Sequence, residues 1–176
     1  MAPGKPGDPF IHGGFMKTKT YLLIREMDKL YNAIAYKTID KISSIEKILF
    51  TFEKIVNYPS NEENKRIIKI FERKPYQFSK RYYQFNGILS KIHVLVDPTS
   101  IYNARRMKND QISLDYILRI YKSSVLINNY YREIFDKFKG RSADKELIAH
   151  IEWEFSVAET TLDRINEIYR WLSIYY

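Results

Sequence analysis

The 176-residue chain contains no cysteine. That excludes a disulfide framework, a thiolate zinc site and a cysteine nucleophile together. It suits a reducing, cytoplasmic setting, and a thermophilic source as well. Glycine and proline are scarce, with six of each. Four of the glycines and three of the prolines fall within MAPGKPGDPFIHGGF, residues 1–15. We read that stretch as a flexible arm or an appended remnant, with Met16 as a natural start, and residues 16–176 as a single helical-bundle domain. No apolar run reaches the roughly 18 residues that a membrane helix needs, so no membrane partner is expected. Gly87 and Gly140 stand too far apart to make a glycine-rich phosphate loop. His93 and His150 support no Ser-His-Asp set. The expectation is a protein with no catalytic residue, no cofactor and no metal.

What the chain does have is helical punctuation. Ser60 and Glu63 form a capping box that opens a helix from about Asn61 to Arg73, which Pro75 stops. A second helix begins near Tyr76 and runs towards Val96. Asp97-Pro98 opens a short helix through about Met107. Asn109-Asp110 caps a long helix to Lys139, with Gly140 at its C′ position, and Ser142 caps a last helix. Residues 17–57 read as helical throughout, with a slip of apolar phase between Ile34 and Ile39 and a second possible box at Ser43 and Glu46. No useful strand-like alternation occurs. The predicted fold is all-α, a bundle of about four to six helices with long N- and C-terminal helices.

Two apolar seams are regular. Ile148, Ile151, Phe155, Ala158, Leu162, Ile165, Tyr169, Leu172 and Tyr176 recur at alternating spacings of 3 and 4. At 1.5 Å per residue they keep one face towards its partners for about 40 Å. Val157, Ile168, Trp171 and Ile174 widen that stripe. Phe78, Tyr82, Phe85, Leu89, Ile92 and Val96 form the other seam. The helix at 111–139 is apolar on two faces, with Leu114, Ile117, Tyr121 and Val125 early, then Ile127, Tyr131, Ile134 and Phe138, which predicts a central position.

Charge is unevenly distributed. The net charge is +8, and residues 58–110 set eleven Lys and Arg against five acids. Residues 141–176 set four against seven, so the last helix opposes the middle of the chain. Arg66, Lys69 and Arg73 share a helix face, with Lys65 and Lys74 beside them. Lys80 and Arg81 follow Pro75, and Arg105, Arg106 and Lys108 end the short helix. Tyr76 and Tyr83 lie off the seam near Lys80, where exposed rings could stack bases. These twelve residues are the candidate nucleic-acid-binding set, able to track a phosphate backbone of DNA or RNA. The competing reading is a solvated basic face partly neutralised by the acidic last helix.

Glu146, His150 and Glu154 stand one turn apart on the last helix, but the Glu-x-x-His pairs of a di-iron bundle are absent. A surface histidine with salt links to its neighbours is expected instead. Helical endoribonuclease toxins of the HEPN class carry an arginine and a histidine at closer spacing than the eight residues separating Arg141 from His150. In size, charge and helical content the chain is similar to the small helical subunits of CRISPR effector complexes and to helical accessory subunits of replication enzymes. That likeness implies a non-catalytic nucleic-acid-binding protein, an accessory subunit of a larger nucleoprotein complex. The alternative is a protein–protein interaction or self-associating helical module, viral among other origins. A helical ribonuclease-type toxin comes third.

Overall fold

The computed structural model describes residues 59–97 and 114–175, with residues 49, 50, 53, 54 and 57. Among them are four α-helices and no strand: α1 (Asn61–Arg73), α2 (Pro75–Val96), α3 (Leu114–Phe138) and α4 (Lys145–Tyr175). The chain is all-α there. The leader, the short helix after Pro98, the Ser43–Glu46 box, the Asn109-Asp110 cap, Tyr176 and most of the helix expected over 17–57 lie outside the described residues.

The start of α1 is set by its cap. The Ser60 hydroxyl accepts the backbone N–H of Glu63 at 3.3 Å. Glu62 and Glu63 occupy the first turn and Arg73 the last, each placed to suit the helix dipole. Pro75 then ends α1 and begins α2 with only Lys74 between them. Proline is well tolerated as a first helical residue, because the N–H it lacks would have no intrahelical partner there.

Two expected caps differ from those observed. The left-handed C′ glycine expected at position 140 is absent; Gly140 lies within a 3₁₀ turn, Lys139–Arg141, without a left-handed φ. The tighter turn ends α3 without needing glycine's conformational freedom. The cap of α4 is Asp144 rather than Ser142. Asp144 Oδ1 accepts the Leu147 N–H at 3.0 Å, while Ser142 Oγ accepts the Asp144 N–H at 3.2 Å. The serine organises the turn, and the aspartate two residues later reaches the first free amides of the helix.

α4 packs most extensively along α2 and also along α3, while α1 rests on α3 and α2. Every residue of the α2 seam from Phe78 to Val96 is buried. On α4, Ile151, Phe155, Ala158, Leu162, Ile165 and Leu172 are buried, with Ile148 and Tyr169 partly so. Trp171 and Ile174 do not widen the buried stripe; they are 46% and 73% exposed, since only Leu172 of the last five described residues turns inward. Both expected faces of α3 are used: Ile117, Ile127, Tyr131, Ile134 and Phe138 are buried, while Leu114, Tyr121 and Val125 pack against the core from its edge.

At the centre lies an aromatic cluster. The Phe78 ring meets Phe71 of α1 at 5.3 Å, Phe138 of α3 at 5.1 Å and Phe155 of α4 at 6.3 Å between centroids. Tyr82, stacked on Phe78, donates its hydroxyl hydrogen to Asn128 Oδ1. Burial, helped by the carboxylates of Glu159 and Glu154, pushes the Tyr82 hydroxyl well above its ordinary pKa, so it stays a donor. Tyr130 similarly donates to Asn64 at 3.1 Å and ties α3 to α1.

Leu162→Ala or Ile165→Ala should cost about 2–5 kcal/mol in urea unfolding, because each leaves a cavity in the middle of the α4 seam. Glu159→Ala, on the exposed side, should stay within about 0.5 kcal/mol. Similar small losses at all three positions would contradict the placement of α4 in the core.

Candidate nucleic-acid interface

One face of α1 is cationic. Ile67, Ile68 and Phe71 are buried, and the helical period leaves Lys65, Arg66, Lys69 and Arg73 exposed on the opposite side. Lys65 bonds Glu62 Oε1 at 3.2 Å, an exposed pair worth at most about 1 kcal/mol. Arg66, Lys69 and Arg73 make no ion pair among the described residues. Lys65, Lys69 and Arg73 stand four residues apart, a like-charge arrangement that costs about 0.2–0.5 kcal/mol per neighbouring pair. Neighbouring cations of this row rise roughly 6 Å apart, within the Debye length of about 10 Å at 0.1 M salt, so each feels the next.

The face resumes on α2. Tyr76, Lys80 and Tyr83 are spaced 4 and 3 apart and are exposed, the two rings at 58% and 65%. The sequence reading that separated these tyrosines from the buried Phe78, Tyr82 and Phe85 is borne out by the burial. Arg73 closes one arc and Tyr76 opens the other, on either side of the Lys74 junction. Lys74 and Arg81 are half-buried rather than displayed. Arg105, Arg106 and Lys108 lie outside the described residues.

Two acids of α4, Glu152 and Glu154, have partners away from α1. Glu152 takes Arg132 of α3 at 3.1 Å and Lys139 at 3.3 Å. Hydrogen bonds with Asp136 and Glu152 raise the Lys139 pKa. Arg132 also covers the Phe155 ring at 4.9 Å, so this network seals the edge of the aromatic cluster. Glu72 of α1 faces Arg141 at 3.6 Å. Among the described residues, Arg66, Lys69, Arg73 and Lys80 make no ion pair with α4.

Beside Tyr83, a cavity of about 540 Å³ opens between α2 and α4. Tyr83, Asn86, Gly87, Trp153, Glu154 and Val157 are among the residues lining it. Trp153 is 60% exposed, and its ring stacks on His150. Asn86 Nδ2 donates to the Glu154 backbone oxygen at 2.9 Å and to Glu154 Oε2 at 2.7 Å, leaving the buried Asn86 Oδ1 without a partner among the described residues. Glu154 Oε1 lies 3.6 Å from His150 Nε2. Glu154 has thus turned inward, away from the exposed Glu146, and no metal-binding group of three or more His, Cys, Asp or Glu side chains occurs among the described residues.

The sequence reading did not connect Asn86, Gly87, Trp153 and Glu154. A signal existed: Asn86 sits four after Tyr82 and three before Leu89, and Glu154 three after Ile151 and four before Ala158. Both occupy seam spacing, which predicts burial whatever the polarity.

The sequence matches no protein-family model and no curated protein, and no solved structure matches the fold.

Proposed function

We propose that the chain is a non-catalytic nucleic-acid-binding protein, an accessory subunit of a larger nucleoprotein complex, holding a phosphate backbone along the outward face of α1 and the start of α2. The observation that carries this reading is the α1 arc. Three cations at successive helical turns repel one another, yet Lys69 and Arg73 lack any acid partner among the described residues. Glu72, the acid between them in sequence, is turned to Arg141 instead. Local rules broken without compensation mark functional positions, and a row of unpaired cations at helical pitch suits a polyanion. Tyr76, Lys80 and Tyr83 extend the row with rings that can stack on unpaired bases.

A second reading is supported by a different observation. Trp171, Ile174 and Tyr175 are exposed at the end of α4, and exposed apolar clusters mark association surfaces. Self-association through that end would make the chain an interaction module.

Binding to single- or double-stranded nucleic acid should be micromolar or tighter at low salt. Log affinity should fall linearly with log salt, by about 0.9 per phosphate contacted on a duplex or 0.7 on a single strand. Reversing Arg66, Lys69 and Arg73 together should flatten that slope by about two to three units, whatever the base sequence. Equal slopes for variant and wild type would remove this face from consideration. Absence of wild-type binding at about 50 mM salt, with mass increasing on concentration, would favour the association reading.

A single substitution separates function from stability. Lys69→Glu converts two repulsive i,i+4 pairs into attractive ones, and should raise stability by about 0.5–1 kcal/mol at low salt. The same variant should bind nucleic acid more weakly. A loss of stability together with unchanged binding would contradict the account of the arc.

A further inference from the structure

We propose that the groove between α2 and α4 holds unpaired bases by stacking them on Tyr83 and Trp153, so that the chain favours single strands over duplex. This rests on the backbone-binding reading and narrows its ligand. Phosphate contacts alone give no such preference, since a duplex carries the denser charge. Ring stacking does give one. A base inside a duplex has both faces covered, whereas an unpaired base exposes them.

Continuity is the first support. Tyr83 belongs both to the exposed Tyr76–Lys80–Tyr83 row and to the groove wall. A strand following that row therefore reaches the opening. Trp153 lines the same space from α4, so two helices contribute rings to one platform. Tyr83 makes no ring contact among the described residues, and Trp153 makes one, with His150 at 5.9 Å and 30° between planes. Both rings stand outside the buried aromatic cluster, so core packing requires neither.

Gly87 is the second. Glycine in a helix interior is destabilising relative to alanine. Here its φ is not left-handed and an added Cβ would meet nothing within 4 Å, so neither conformation nor crowding requires it. Side chains on a helix lean towards its N-terminus. A larger residue at position 87 would cover the surface one turn back, beside Tyr83, and narrow the groove. Ser90, three residues on, is also small and lines the same space. The pair keeps the floor next to Tyr83 open.

The third is the mixed polarity of the lining. Gln84, Ser90 and Lys91 bring donors, while Gln84, Ser90 and Glu154 bring acceptors. Such a wall neither selects nor refuses a base edge, and every base has a π-face to stack. The groove therefore holds bases without reading them. Lys91 makes no ion pair among the described residues, which leaves a cation for the phosphate beside a stacked base. The Glu154 carboxylate is already engaged, by Asn86 Nδ2 at 2.7 Å and with His150 Nε2 at 3.6 Å. The volume of about 540 Å³ falls within the range of small-ligand sites.

The test compares a labelled oligothymidine strand with a duplex carrying the same number of phosphates, by fluorescence anisotropy at low salt with the full chain. The strand should bind about tenfold more tightly than the duplex. Trp153→Ala should remove most of that advantage while leaving duplex affinity unchanged, and should melt near wild type because the ring is 60% exposed. Gly87→Leu should remove it too by filling the groove, without a lower melting temperature, since leucine is a better helix former than glycine. In a Trp171→Phe background Trp153 is the one remaining tryptophan, and the strand should quench its emission where the duplex does not. A cytosine strand should bind like the thymine strand. Equal affinity for strand and duplex, or an advantage retained by either groove variant, would overturn the proposal and leave backbone binding standing. A preference of about tenfold between thymine and cytosine would overturn it as well, because the groove would then be reading bases. If neither strand nor duplex binds, both readings fall.

Discussion

The structure depends on one packing constraint, the aromatic cluster around Phe78. That ring contacts Phe71 across the Pro75 break, Tyr131, Phe135 and Phe138 on α3, and Phe155 on α4. A single buried side chain thus joins all four described helices. Aromatic pairs in edge-on or offset geometry contribute about 0.5–1.5 kcal/mol beyond the area they bury. The more important consequence is orientation. Phe71 and Phe78 pack at 5.3 Å on either side of a proline that leaves a one-residue junction, and this fixes how α1 and α2 roll about their axes. Once those rings point inward, the helical period sends Arg66, Lys69 and Arg73 outward on α1 and Tyr76, Lys80 and Tyr83 outward on α2.

The same constraint separates the charged networks of the described residues. On the α3–α4 side, Arg132, Lys139, Asp136 and Glu152 satisfy one another and cover the rings of Phe135 and Phe155. On α1, Arg66, Lys69 and Arg73 make no ion pair among the described residues, and the neighbouring Glu62 and Glu72 pair with Lys65 and Arg141 instead. The first arrangement is what stability favours. The second leaves like charges at successive turns with only the Lys65–Glu62 pair beside them among the described residues, and that contrast supports a polyanionic partner for α1. Gly87 and Asn86 extend the argument to the neighbouring cavity. A helix-interior glycine with free space around it and a buried amide oxygen without a donor, both among the described residues, are unfavourable for folding, and they are consecutive.

Much of the described fold was legible in the sequence because strong local signals agreed. The Ser60–Glu63 box, the Pro75 stop and the seam from Phe78 to Val96 each left one reading, and the structure follows them. Where two residues could serve one role, local pattern did not discriminate. Ser142 and Asp144 are both good caps, and only the turn geometry assigns the amides of α4 to the aspartate. Apolar character misled at Trp171 and Ile174, because a stripe can extend beyond the surface that covers it. The expected link of an exposed His150 to Glu154 is present, but polarity hid the burial of Glu154, which its spacing from Ile151 and Ala158 places inside. The candidate site was half legible for a related reason. Exposed cations and rings follow from the helical period, whereas a cavity between α2 and α4 depends on the packing of residues nearly seventy positions apart.

The location of the nucleic-acid-binding face is the central claim, and lysine footprinting tests it most directly. The chain, free and saturated with a single strand at low salt, would be acetylated briefly and each lysine quantified by mass spectrometry. The account predicts protection of Lys65, Lys69 and Lys80, with Lys137 and Lys145 modified equally in both states. Protection centred on Lys137 and Lys145, with the α1 lysines unchanged, would contradict it.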